Sequence, residues 1–155
     1  MIASNLQKPL PPGSEQGRLT ESPEAPHATP RTYGILVVDD DECVRGVLNV
    51  WMRQQGFAVW LAANGRDGLD LYRRHRETID VVLLDVLMPG LDGPQTLAAL
   101  QELNPQIRCC FMSGDIGRYG EWQLRDWGAA AIFQKPFELA EAAQALRKLA
   151  CKALT

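Results

Sequence analysis

Residues 35–41 read Ile35-Leu36-Val37-Val38-Asp39-Asp40-Asp41, so a short apolar run ends abruptly in three acidic side chains. A continuous apolar run of this length predicts a strand that is buried on both faces, as in a parallel sheet. Over residues 42–55 the apolar side chains recur at three- and four-residue intervals, which predicts an amphipathic helix that ends at Gly56. The stretch therefore predicts a strand followed by a helix, with acidic residues at the junction.

The same alternation recurs along the rest of the chain. Further strands are predicted at residues 57–61, 81–84, 107–112 and 130–134, and further helices at about 64–75, 93–103, 119–127 and 138–151. Five strand–helix units joined by right-handed crossovers predict an α/β fold with a doubly wound, five-stranded parallel sheet, (βα)5. In such a sheet, ligands bind at the carboxyl ends of the strands.

The overall composition argues against several functional classes. The 155 residues carry a formal net charge of −3, which is a poor match to nucleic acid, so we expect no direct DNA binding. The sequence has no apolar run of about 18 residues and no secretory signal, so we expect a cytoplasmic protein that does not insert into membranes. Four cysteines and two histidines without a C-x-x-C motif offer almost no ligands for a zinc site.

The first part of the chain differs from the rest in composition. Six of the ten prolines fall within the first thirty residues, and large apolar side chains are few there. Such a segment cannot bury enough apolar surface to offset the loss of backbone entropy on folding. We therefore predict a disordered Pro-rich N-terminal tail over residues 1–32 and one folded domain over residues 33–155.

Polar and charged side chains follow four of the predicted strands. Asp39 and Asp40 follow the first strand, Asp85 the third, Ser113 the fourth and Lys135 the fifth. Because clustered carboxylates repel one another, they predict a bound cation, and oxygen ligands without histidine or cysteine favour Mg²⁺. A carboxylate beside a metal and a lysine ammonium is suited to attack on a phosphoryl group, whose oxygens the positive charges neutralise.

These segments resemble the receiver domain of bacterial two-component response regulators. The resemblance covers roughly residues 33–152 and rests on four motifs in the family's order, at residues 35–41, 85–93 (Asp-Val-Leu-Met-Pro-Gly-Leu-Asp-Gly), 112–114 (Met-Ser-Gly) and 135–137 (Lys-Pro-Phe). The residues in and around the last two motifs are especially similar to those of receivers in hybrid histidine kinases. The resemblance implies a flavodoxin-like receiver fold and a stand-alone phosphoacceptor in two-component signalling or a phosphorelay.

The resemblance also implies a role for each site residue. Asp85 would take a phosphoryl group from a phosphohistidine of a sensor histidine kinase or a histidine phosphotransfer protein, while Ser113 and Lys135 would contact that group. Mg²⁺ would be held by Asp85, by Asp40 directly, by Asp39 through water, and by the backbone carbonyl of Leu87. Pro136 would follow a cis peptide bond. Since the family pair aligns with the first two aspartates, Asp41 is predicted to cap the following helix.

Two features depart from the family pattern and keep an alternative open. Ile132 stands where the family often has an aromatic residue whose ring reports phosphorylation, and glycines at positions 114, 117 and 120 predict a mobile loop and a shortened fourth helix. We expect self-catalysed phosphotransfer and autodephosphorylation, not an enzyme with turnover. The alternative is a pseudo-receiver that binds a partner constitutively. In either case the sequence does not define the downstream protein target.

Overall fold

The computed structural model describes residues 30–115 and 118–152. Strands and helices alternate over these residues in the predicted order. They are β1 (Gly34–Val38), α1 (Glu42–Gln54), β2 (Ala58–Ala62), α2 (Gly65–His75), β3 (Val81–Asp85), α3 (Gly93–Leu103), β4 (Cys109–Ser113), α4 (Glu121–Asp126), β5 (Ala131–Gln134) and α5 (Leu139–Lys152).

The five strands form one parallel sheet in the order β2-β1-β3-β4-β5. The chain runs from β1 outward to β2 and then crosses to β3 on the other side of β1. This reversal of strand order opens a crevice at the carboxyl ends of β1 and β3, the usual position of a ligand site in doubly wound sheets. The predicted fold class is confirmed.

Helices cover both faces of the sheet. Leu36 and Val38 of β1 point to a core formed with α2, α3 and α4, whereas Ile35 and Val37 point to a second core formed with α1 and α5. All four of these β1 side chains have no exposed surface. Since side chains of a strand alternate between the two faces, only a continuous apolar run can fill both cores.

Local capping explains where the first three helices begin. Asp41 accepts hydrogen bonds from the backbone N–H groups of Cys43 (2.8 Å) and Val44 (3.4 Å), so its prediction as the α1 cap is confirmed. Asn64 caps α2 in the same way. Asp92 and Gln95 form a reciprocal capping box at the start of α3.

Several predicted boundaries were wrong by one or two residues. β2 begins at Ala58 because the backbone N–H of Phe57 bonds to the Met52 carbonyl and closes the end of α1. β4 begins at Cys109 because the Ile107 N–H bonds to Asn104 in the turn after α3. The predicted shortening of the fourth helix is confirmed by its six residues. The predicted mobility of the loop before it falls partly on residues 116 and 117, outside the described residues.

The four tryptophans differ in how far they are buried. Trp51 and Trp60 are half-buried, but Trp122 and Trp127 are 72% and 41% exposed. Both exposed rings belong to the short helix α4 or its end, and Leu124 is the residue of α4 that is buried. A helix of less than two turns has room for little more than one inward side chain.

Two further predictions concern regions beyond the fold itself. The disordered tail predicted for residues 1–32 lies, apart from its last three residues, outside the described residues. Within residues 30–115 and 118–152, no helix has the length and apolar character needed to cross a bilayer.

The close approach of Gly93 to β3 gives a test of this packing. A Cβ at Gly93 would lie 2.4 Å from the Asp85 carbonyl oxygen and 2.8 Å from the Val86 Cα, whereas a Cβ at Gly46 on the exposed side of α1 would meet nothing within 4 Å. We expect Gly93→Ala to lower the free energy of unfolding by about 1–3 kcal/mol. We expect Gly46→Ala to raise it by about 0.5–1 kcal/mol, since alanine favours helix. Urea unfolding measures both, and equal effects of the two variants would contradict this packing.

Candidate functional site

The carboxyl ends of the strands bring three aspartates together. Asp39 and Asp40 follow β1, and Asp85 is the last residue of the neighbouring strand β3. One carboxylate oxygen from each residue lies within 4.8 Å of the others. Asp39 is fully buried, Asp85 is 7% exposed, and Asp40 is exposed. The convergence predicted from the sequence is therefore present in the structure.

Lys135 reaches this acidic cluster from the end of the edge strand β5. It follows β5, two strands away from β3, and its long side chain spans that distance. The Lys135 Nζ lies 2.9 Å from Asp39 Oδ2 and 3.6 Å from Asp85 Oδ1. The lysine thus forms one ion pair with each of the two buried carboxylates.

The three consecutive aspartates have different surroundings. Asp39 accepts a hydrogen bond from the Asp41 N–H at 2.8 Å as well as from Lys135, so both its carboxylate oxygens have protein partners. Asp41 turns away to cap α1. Asp40 is exposed to solvent at the mouth of the cluster. Sequence reasoning missed Arg45, whose Nη1 donates to the Asp39 carbonyl at 2.7 Å and helps to hold this turn.

The electrostatics of the cluster act most strongly on Asp85. Burial, together with the negative charge of Asp39, raises the pKa of Asp85 to about 6, although the positive charge of Lys135 opposes that rise. Burial lowers the pKa of Lys135, but the hydrogen bond to Asp39 and the negative charges outweigh it and raise this pKa overall. At neutral pH Lys135 is charged and Asp85 is mostly ionised. The ionised form of Asp85 is disfavoured by its burial and by repulsion from Asp39.

These residues fit a hard divalent cation. Three carboxylates within 4.8 Å of one another face one ammonium, so the cluster retains excess negative charge. Burial and, next, the negative charge of Asp39 raise the pKa of Asp85, so a nearby cation would favour its ionised form. All the donor atoms are oxygens, which Mg²⁺ prefers, and the exposed position of Asp40 leaves room for the waters that Mg²⁺ retains. Leu87 follows two residues after Asp85 with a 39% exposed side chain, and the role of its carbonyl stays a prediction.

Ser113 lies at the same edge but is engaged elsewhere. It ends β4, next to β3, and is 2% exposed. Its hydroxyl donates a hydrogen bond to the backbone carbonyl of Asp115. To contact a group on Asp85, the hydroxyl must therefore exchange that partner for a new one.

Near the site, the structure contains one feature that the resemblance implied and one contact that the sequence did not predict. The peptide bond between Lys135 and Pro136 is cis, as the resemblance implied. Ile132 is half-buried and packs against the core on the α2–α4 side. Sequence reasoning missed Tyr119, whose hydroxyl donates to the carboxylate of Asp92 at the start of α3. The two residues are 27 positions apart in the sequence, so no local sequence rule predicts this contact.

Comparison with known proteins agrees with this architecture. The profile of the response regulator receiver domain matches residues 35–147. Sporulation initiation phosphotransferase F of Bacillus subtilis is 35% identical over 118 residues, which cover 74% of this chain and 90% of that protein. The response regulator MprA of Mycolicibacterium vanbaalenii is 36% identical over 115 residues, but the chain spans only 49% of its length.

A solved structure extends the agreement to the fold. The crystal structure of the CheX–CheY–BeF3–Mg²⁺ complex from Borrelia burgdorferi contains a chain with a TM-score of 0.69 and 27% identity, over 76% of this chain and 88% of that one. The order of the strands, the acidic crevice at their carboxyl ends and the match along most of the domain lead to one conclusion. The chain belongs to the response regulator receiver domain family.

Proposed function

We propose that the chain receives a phosphoryl group on Asp85 from a phosphohistidine of a sensor histidine kinase or histidine phosphotransfer protein, in a Mg²⁺-dependent reaction. The observation that carries the proposal is the position of Asp85. It is a buried carboxylate at the end of β3, with Lys135 at 3.6 Å and two further aspartates beside it. A carboxylate in a crevice whose pKa is raised by burial and by a neighbouring charge is typical of a functional site.

The proposed reaction transfers one phosphoryl group between two side chains. A carboxylate oxygen of Asp85 forms a bond to phosphorus, and the bond from phosphorus to the donor's imidazole nitrogen breaks, leaving its electron pair on that nitrogen, which takes up a proton. With a pKa of about 6, Asp85 is mostly ionised at neutral pH and able to attack. The Lys135 ammonium neutralises charge on the phosphoryl oxygens. Ser113 then donates to one of those oxygens after leaving the Asp115 carbonyl.

The acidic cluster supplies the metal ligands in this proposal. Asp85 and Asp40 would bind Mg²⁺ directly, Asp39 through water, and the Leu87 backbone carbonyl would complete the protein ligands. When bound, Mg²⁺ adds positive charge where negative charge accumulates on the transferring group.

The surface beside the site supports a protein as the phosphoryl donor. Val47 and Val50 on α1 are 56% and 58% exposed. They border apolar grooves that continue through Phe137 and Leu139 towards Lys135. Exposed apolar patches of this kind mark protein contacts, and a donor docked here would reach Asp85. The alternative, a pseudo-receiver, would use the same surface without phosphorylation.

Mg²⁺ binding is expected to depend on Asp40. Asp40→Asn removes one negative charge from the cluster without disturbing a buried residue, so Mg²⁺ affinity should fall at least about tenfold. Asp41→Asn is the matched control, because asparagine still caps a helix and Asp41 lies outside the cluster. Calorimetric titration measures both. Equal Mg²⁺ affinities of Asp40→Asn and Asp41→Asn would contradict the assignment of the metal site.

Phosphorylation is expected on Asp85 alone. Incubation with Mg²⁺ and a small-molecule phosphodonor should add one phosphoryl group to the parent protein and to Asp41→Asn, but none to Asp85→Asn. Ser113→Ala should be labelled more slowly, because one hydrogen bond to the phosphoryl group is lost. The intact mass reports the product, and an acyl phosphate should be released by hydroxylamine. Labelling that survives Asp85→Asn would refute the site, and an unlabelled parent would favour the pseudo-receiver.

A further inference from the structure

The edge of the sheet opposite Asp85 contains a cavity, which we call the amino-edge cavity. It has a volume of about 580 Å³ and lies where β1, β3 and β4 begin. Arg31 precedes β1, Asp80 precedes β3 and Arg108 precedes β4, and all three side chains line it. Because the strands are parallel, this cavity is separated from the acidic cluster by the length of the sheet.

Positive side chains outnumber negative ones around the amino-edge cavity. Arginines 31, 76 and 108 line it, against Glu77 and Asp80. Asp80 is already engaged, since it accepts hydrogen bonds from Arg31 (2.6 Å) and from the Gly34 N–H (2.8 Å). The Glu77 side chain is 92% exposed, and its carboxylate is 3.9 Å from Arg76. Asp80 thus offsets Arg31 and Glu77 offsets Arg76, which leaves the charge of Arg108 without a counter-charge among the described residues.

Arg108 is the unusual member of this lining. Its Nε is buried without a hydrogen-bond partner, and no ion pair joins its guanidinium to any residue in the described part of the chain. Arginine stays protonated at any physiological pH, so it cannot relieve the cost of burial by losing its proton. A buried, unpaired cationic N–H group lowers stability, and natural proteins rarely retain one without an acceptor. The position of Arg108 points to an acceptor that is not part of this chain's described residues.

We propose that the amino-edge cavity binds the phosphate group of a small molecule, with the guanidinium of Arg108 donating to its oxygens and Arg76 supplying further positive charge at the rim. The planar guanidinium fork matches phosphate geometry. The half-buried side chain of Ile107 offers apolar surface to an attached organic group, beside the buried Tyr72 and Ile79. The volume lies within the range of small-molecule sites.

This site is independent of phosphotransfer on Asp85. None of the residues that line the amino-edge cavity belongs to the acidic cluster or contacts it. Titrations without Mg²⁺, in which the acidic cluster repels anions, therefore isolate the cavity. The Asp85→Asn variant of the full chain serves as a second background in which phosphotransfer is absent.

Calorimetry with three probes tests the proposal on the full chain. Inorganic phosphate and AMP should bind, while adenosine, which lacks the phosphate, should not. Tighter binding of AMP would identify a phosphate ester as the ligand, and equal binding would identify free phosphate. Arg108→Gln should weaken binding by about tenfold or more, because a charge-assisted hydrogen bond is lost. Arg125→Gln, on the exposed face of α4 and paired with Glu121, is the matched control and should bind like the parent.

Stability provides a second readout for the same variants. Without ligand, Arg108→Gln should melt no lower than the parent, since the buried Nε–H group that has no acceptor is removed. If Arg108→Gln fails to fold, the exposed rim variant Arg76→Gln decides, and it should weaken phosphate binding several-fold. The proposal is overturned if neither phosphate nor AMP binds more tightly than about 10 mM. It is also overturned if adenosine binds as well as AMP, or if the folded arginine variants bind like Arg125→Gln.

Discussion

The ion pairs of Lys135 with Asp39 and Asp85 are the interaction on which the site depends. Two carboxylates are buried side by side at the ends of β1 and β3, and one ammonium from the end of β5 contacts both. Burial and the charge of Asp39 raise the pKa of Asp85 to about 6, because the positive charge of Lys135 offsets only part of their effect. Because folding raises this pKa, the folded protein binds the proton more tightly than the unfolded chain, and this group lowers stability as the pH rises from about 4 to 6. The proposed Mg²⁺ ion would offset that residual charge.

The fold places the three consecutive aspartates in three different environments. Asp39 is the last residue to lie within the sheet's interior, so it is buried and fully hydrogen-bonded. Asp40 lies at the turn and faces solvent, and Asp41 already belongs to the next helix as its cap. A receiver thereby obtains a fixed carboxylate, an accessible one and a helix start from consecutive positions. The neighbouring strand supplies Asp85, which completes the cluster.

Sequence reasoning succeeded where one local rule or the topology decides the outcome. The apolar run at residues 35–38 had to be a central strand, and parallel strands had to bring Asp85, Ser113 and Lys135 to one edge. The sequence did not predict the features that long-range packing determines. The exposure of Trp122 and the contact from Tyr119 to Asp92 depend on how a short helix and a loop lie against α3. Residues 107 and 57 were assigned to strands because apolar character does not distinguish a strand from the turn that precedes it.

A pH titration of the Asp85 carboxyl group measures how strongly burial and the charged neighbours act on this residue. Carboxyl-carbon NMR of the metal-free protein gives the midpoint for this one residue, which is assigned by the loss of its signal in Asp85→Asn. We expect a midpoint near 6 in the parent and a higher one in Lys135→Met, because the lysine charge lowers this pKa. A midpoint near the ordinary value of 3.8, unchanged in Lys135→Met, would contradict it.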